Sequence, residues 1–352
     1  MTAATAGTRG WWGGVALAAA LLSGGPPRIA AQASPAAASG APVTRFIIVS
    51  GVSGEKRYAD LYHAWTMAVA AAATARFGAP DSLVTVLAEQ ATRDPKRIRA
   101  RSTRDNVLAA ITGAARQSRA GDRIAIFLFG HGNTQDAAPR LNLPGPDATA
   151  ADFDAALQPA KEATVLFVNT ASGSGEFVKA LSGANRIVVT ATRSSREQNA
   201  TIFPQHFIAA LTSAAGDADK DGRVSILEAF TYARLEVERL FEQENRIATE
   251  HPLLDDDGDG VGHSDASEKG PDGARARSFH LEPLGGAAAV ASSDPRVARL
   301  IDERRALEAR IEALRGRRSA LSEDAYQKAL EPLMVELAEK TRALRALEGR
   351  KP

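Results

Sequence analysis

Two apolar runs decide how this chain folds: DRIAIFLFGHGN at residues 122–133 and ATVLFVNTASGSGEF at residues 163–177. Each is a near-continuous stretch of Val, Ile, Leu and Phe that stops abruptly in small residues. This is the pattern of a strand buried on both faces and followed by a tight turn. TRFIIVSGVSG at 44–54, SLVTVLA at 82–88 and NRIVVTATR at 185–193 have the same character. Between them lie stretches with helical apolar spacing, at 58–75 and at 102–117, the second capped by Ser102 or Thr103. Strands alternating with helices predict an α/β fold, a parallel sheet with helices on both faces. In such sheets ligands sit beyond the carboxyl ends of the strands, so the loops at 50–54, 130–133, 169–175 and 190–195 are expected to converge.

At 352 residues, 44% hydrophobic and 24% charged, the composition is that of a globular protein with room for a sizeable core. A formal charge of +1 gives no global attraction to nucleic acid or to an anionic membrane surface. The one basic run, RDPKRIRARSTR at 93–104, reads as a solvated loop. Residues 1–33 read as a secretory signal peptide: Arg9, the apolar VALAAALL, too short to span a bilayer, and an AQA cleavage site. The expectation is an exported protein, periplasmic or extracellular, with no membrane span after signal removal, and with 34–42 as a linker. The chain has no cysteine, which excludes disulfides, thiolate metal sites and a thiol nucleophile.

The segment DADKDGRVSILE at 217–228 sets oxygen donors at positions 1, 3, 5, 9 and 12 of a loop with glycine at position 6. It resembles an EF-hand loop. Asp217, Asp219 and Asp221 would give carboxylates, Arg223 its backbone carbonyl, Ser225 a hydroxyl and Glu228 a bidentate carboxylate to calcium. Apolar helical spacing on both sides places the loop between two helices. A second stretch at 255–266 repeats the start with Asp255, Asp257 and Asp259, but position 12 is Ala266. His63, His206, His251, His263 and His280 form no zinc-ligand spacing, and no phosphate-binding glycine motif follows a strand.

The order of FLFGHGN and FVNTASG, with FIIVSGVSGEKRYADLYHAW before them and VVTATRSSREQNATIF after, resembles the legumain family of caspase-like cysteine peptidases. The resemblance covers roughly 44–262 and implies a caspase-like domain at 43–290. In that family a His-Gly pair ends one strand and a cysteine ends the next. The matching residues are His131, Gly132 and Ala171, so the nucleophile position holds a methyl group. The resemblance also implies an oxyanion hole from the Gly132 and Ala171 amides, and a charged substrate pocket near Lys56, Arg57 and 194–199.

Three functions are therefore open: a silent pseudopeptidase that binds a peptide or protein partner, a hydrolase in which Ser172 (or Ser174) acts with His131, and a purely structural calcium-dependent module. Residues 291–352 change in character. Val297, Leu300, Leu307, Ile311 and Leu314 follow a heptad-like spacing broken at Arg304, and Leu330, Leu333, Leu337, Leu344 and Leu347 form a second run. An antiparallel helical hairpin is expected, coiled-coil-like and available for self-association, with Pro332 in the second helix near its start or at a kink.

Overall fold

The computed structural model describes residues 42–282, 295–315 and 321–348; the signal-peptide and linker readings at 1–41 fall outside the described residues, apart from Pro42. The elements run β1 (Thr44–Ser50), α1 (Lys56–Ala75), β2 (Val84–Ala88), β3 (Ile98–Arg101), α2 (Arg104–Gln117), β4 (Arg123–Phe129), β5 (Gly132–Gln135), β6 (Ala138–Leu141) and β7 (Ala148–Thr149). They continue with α3 (Ala150–Leu157), β8 (Thr164–Asn169), α4 (Phe177–Leu181), β9 (Arg186–Thr190), α5 (Phe203–Thr212) and α6 (Ile226–Gln243). Last come β10 (Leu253–Asp255), α7 (Ala274–Ser278), α8 (Pro295–Arg315) and α9 (Glu323–Glu348).

The main sheet has the order β10-β9-β8-β4-β1-β2-β3 and is parallel except for β10, which pairs antiparallel with β9. Alternation along each strand sends residues to opposite faces. Phe46, Ile48, Phe127, Phe129, Leu166 and Val168 pack on one face with α1, α5 and α6. Ile47, Val49, Ile124, Ile126, Val165 and Phe167 pack on the other with α2, α3 and α4. Both faces are covered, which is why these strands read as unbroken apolar runs rather than as alternating ones. Burial of a side chain such as Phe127 contributes about 1.5–3 kcal/mol. The architecture is a mixed α/β, caspase-like fold.

Helix ends follow their caps. Thr103 starts α2 by accepting from the Asn106 amide, and Thr149 with Asp152 forms a reciprocal capping box on α3. The basic run is not all loop, because Ile98–Arg101 forms the edge strand β3. Its arginines leave an outer edge unsuited to pairing with another chain. A second sheet of β5, β6 and β7 rises directly from His131. At the carboxyl end, α8 and α9 pack through Leu307, Ile311, Leu314, Tyr326 and Leu333. Lys340 meets Glu303 at 2.7 Å, tying late α9 to early α8. Pro332 lies inside α9 rather than in its first turn, and the helix continues past it.

Candidate strand-end site and acidic loops

Strand order reverses between β1 and β4, and in such sheets the carboxyl ends at the reversal are where ligands bind. The four expected loops meet there. The Gly51 amide donates to Phe129 O at 2.8 Å, the Gly173 amide to Glu197 O at 2.8 Å, and the Gly175 amide to Thr192 Oγ1 at 3.2 Å.

His131 leaves the end of β4 and turns toward α1. Its ring lies edge-on to Tyr58 at 5.0 Å and to Tyr62 at 5.7 Å, and its Nε2 shares a 3.1 Å hydrogen bond with the Tyr62 hydroxyl. Burial lowers the imidazole pKa, opposed by a hydrogen bond to the Ser53 backbone and by the charge of Glu55. Burial likewise raises the Tyr62 phenol, so this hydroxyl stays protonated.

Gly132 brings the two strand ends together. A β-carbon there would lie 2.6 Å from Ser172 O, 2.9 Å from Arg140 O and 3.7 Å from the Ala171 methyl. Only glycine fits, and the closeness places the His-Gly pair beside the position that the family resemblance assigns to the nucleophile. Ala171 is 1% exposed and belongs to the apolar cluster under α2, α3 and α4. Both amides of the expected oxyanion hole already have acceptors: Ala171 N donates to Asn169 Oδ1 at 3.1 Å and Gly132 N to Ser172 Oγ at 3.4 Å. Ser172 is buried with its hydroxyl on that amide, and Ser174 is buried with its hydroxyl on Thr192.

Of the expected pocket charges, Lys56 pairs with Asp60 at 2.7 Å and Arg57 with Glu55 at 3.0 Å, all exposed at the start of α1. The loop at 193–199 is held from within. Buried Glu197 accepts from the Arg193 amide at 3.0 Å and meets His251 Nδ1 at 2.5 Å. The neighbouring Glu250 accepts the Ile202 and Phe203 amides at 2.8 Å each, and burial pushes its carboxyl up to about 7. Glu250 was not legible as a site residue, because the amides it holds lie 48 and 47 residues away; Glu197 falls within the 194–199 stretch, but its contact with His251, 54 residues on, did not show in the sequence. A cavity of 20 Å³ lies between α1 and the segments that follow β1 and β2, bounded by Ser53, Tyr62, Glu89 and Arg93.

The 217–228 loop sits between α5 and α6, as its flanks predicted. Carboxylate oxygens of Asp217, Asp219 and Asp221 lie within 4.8 Å of one another. Gly222 has φ +83°, which the turn requires and which side chains disfavour. Glu228 points back across the loop: Oε1 accepts from Ala218 N at 3.1 Å and Asp219 N at 3.3 Å, and Oε2 from Ser225 N at 2.8 Å. Ser225 also caps α6, and the Arg223 amide donates to Asp221 Oδ1 at 2.7 Å. Burial raises the pKa of Asp217 and of Glu228. A cation is already present in the form of a side chain, since the guanidinium of Arg304 on α8 pairs with Asp221.

In the second loop the structure groups Asp255 and Asp257 with Asp272, again within 4.8 Å, and not with Asp259. The Asp259 carboxylate accepts the Val261 amide at 2.7 Å instead. Asp272, beyond the twelve-residue frame, supplies the carboxylate that Ala266 lacks, and His263 Nδ1 meets it at 2.6 Å.

The model of the Peptidase C13 family matches residues 99–239. Among solved structures, a structural-genomics crystal structure of a protein from Geobacter sulfurreducens is similar at 16% identity and a TM-score of 0.42, over 61% of this chain and 93% of that one. No curated protein matches the chain. Residues 99–239 hold His131, Ala171 and the 217–228 loop, so the chain carries a Peptidase C13 family match on a caspase-like fold, the legumain-like frame that its strand-end motifs resemble.

Proposed function

We propose that the chain is an exported, calcium-braced and catalytically silent legumain-like module that binds an extended peptide or protein segment at the rim around His131. The observation that carries this reading is the strand end itself. A buried methyl stands where an attacking group is needed, beside an imidazole whose Nε2 is held by Tyr62. The two amides that would stabilise an oxyanion are capped from within. What remains for a ligand is the surface formed by Arg57, Tyr58 and His131, with aromatic faces and a cation stacked 4.5 Å above the Tyr58 ring.

The 217–228 donors suit calcium: hard oxygens only, closely grouped, on a turn with glycine where it must bend. Asp217, Asp219, Asp221, the Arg223 carbonyl, Ser225 and Glu228 would hold the ion, which would offset part of the charge of the four carboxylates and brace α5 against α6. The serine-hydrolase alternative is less well supported, because the Ser172 hydroxyl faces an amide rather than the imidazole.

Binding is tested by titrating ¹⁵N-labelled protein with a library of extended peptides in calcium. Saturable shifts of the His131 imidazole, lost in Tyr58→Ala, are expected. If no peptide moves His131, the module is structural only.

A further inference from the structure

The break in the α8 heptad falls on the residue that reaches the acidic loop. Positions 304, 307, 311 and 314 form one stripe, on which Leu307, Ile311 and Leu314 are buried against α9. At the next slot toward the helix start, Arg304 is 4% exposed. Its Nη2 pairs with Asp221 Oδ2 and approaches Asp219 Oδ1 at 3.6 Å. Asp219 Oδ2 is met by Arg277 at 3.3 Å, and Asp221 Oδ1 by the Arg223 amide at 2.7 Å. Every side-chain oxygen of Asp219 and Asp221 is thus engaged, two of them by one guanidinium. A buried guanidinium is costly to leave unpaired, so this contact specifies where α8 docks.

We infer that Arg304 is a built-in counter-cation for the 217–228 loop, so that a divalent cation and the docked helical hairpin compete for the same carboxylates. The inference rests on the calcium reading above. An ion that takes Asp219 and Asp221 as ligands must displace Arg304, and a displaced Arg304 loses its buried partners, which frees α8 and α9 from that face. Linkage makes the effect reciprocal: whatever factor calcium imposes on docking, docking imposes on calcium affinity. The hairpin would then be presented only where calcium is abundant.

The test uses the full chain. Because the protein has no cysteine, Glu242→Cys on α6 and Glu331→Cys on α9, both exposed, accept spin labels at those two positions alone. The distance between labels is measured by pulsed electron resonance in chelator and in saturating calcium, with calcium affinity measured by calorimetry in wild type and in Arg304→Gln. Competition predicts a narrow distance distribution in chelator that shifts or broadens with calcium, and an affinity about tenfold tighter in Arg304→Gln. Calcium that binds both proteins equally, with the distance unchanged, overturns the competition and leaves the calcium reading standing. Absence of calcium binding in both overturns the calcium reading, and the competition falls with it. Should Arg304→Gln fail to fold, the wild-type distance with and without calcium decides alone.

Discussion

Introducing a thiol at position 171 tests whether the silence proposed for the strand end would lie in one atom or in the whole arrangement. Ala171→Cys adds a sulfur at a site 1% exposed, within an apolar cluster, where burial raises a thiol pKa and disfavours the reactive thiolate. The imidazole must also leave the Tyr62 hydroxyl, about 1 kcal/mol for an ordinary hydrogen bond. The larger deficit is electrostatic. One oxyanion donor is worth about 10²–10³ in kcat, and both candidate donors, Gly132 N and Ala171 N, are capped. Together they withhold roughly 10⁴–10⁶, so the single variant should fold, alkylate slowly with iodoacetamide and turn over fluorogenic peptides only at a rate measurable over long incubation. Combining it with Ser172→Ala frees the Gly132 amide and should raise turnover about 10²-fold over the single variant. Ala171→Cys turning over at about 1 s⁻¹ or faster, or no gain from Ser172→Ala, would refute the capping argument.

Three further outcomes follow from the same geometry. Gly132→Ala puts a β-carbon 2.6 Å from a carbonyl and should cost about 1–3 kcal/mol, a fall of several degrees in melting temperature; an unchanged value would mean that the strand ends are not in contact as described. In 10 mM calcium, a loop site with Kd near 10⁻⁴–10⁻³ M adds about 1.4–2.7 kcal/mol to wild-type stability, an increment that Glu228→Gln should abolish in thermal melts. The Glu250 carboxyl, raised from 4.5 to about 7 in the fold, binds its proton more tightly folded than unfolded. Its contribution is fully present below pH 4.5 and is lost as pH rises through about 7, near 3 kcal/mol in all. Denaturant unfolding across that window should show the slope in wild type and a flatter profile in Glu250→Gln.

The parts legible in the sequence were those where one physical signal dominates. β1, β4, β8 and β9 are apolar on both faces because helices cover both, and each appeared as an apolar run ending in small residues. The acidic loop was visible because its donors are local in sequence. β3 was missed because an edge strand of alternating arginine needs no apolar run, and β5 to β7 because they are short and polar. Contacts made only by the fold were out of reach. Tyr62 meets His131 across 69 residues, and Asp272 joins Asp255 and Asp257 from outside any loop frame. Asn169 and Ser172 were visible as strand-end residues, but not as the groups that cap the two amides. Arg304 was legible as an interruption of the heptad, and its reason is the loop it meets.

If this legumain-like frame binds without cutting, the wild-type protein should hydrolyse nothing. Purified protein in millimolar calcium is assayed against a diverse peptide and ester library, with His131→Ala and Ser172→Ala in parallel. No turnover above the uncatalysed rate is expected in any of the three. Turnover in wild type that both substitutions abolish would contradict it and assign a serine hydrolase to the same strand ends.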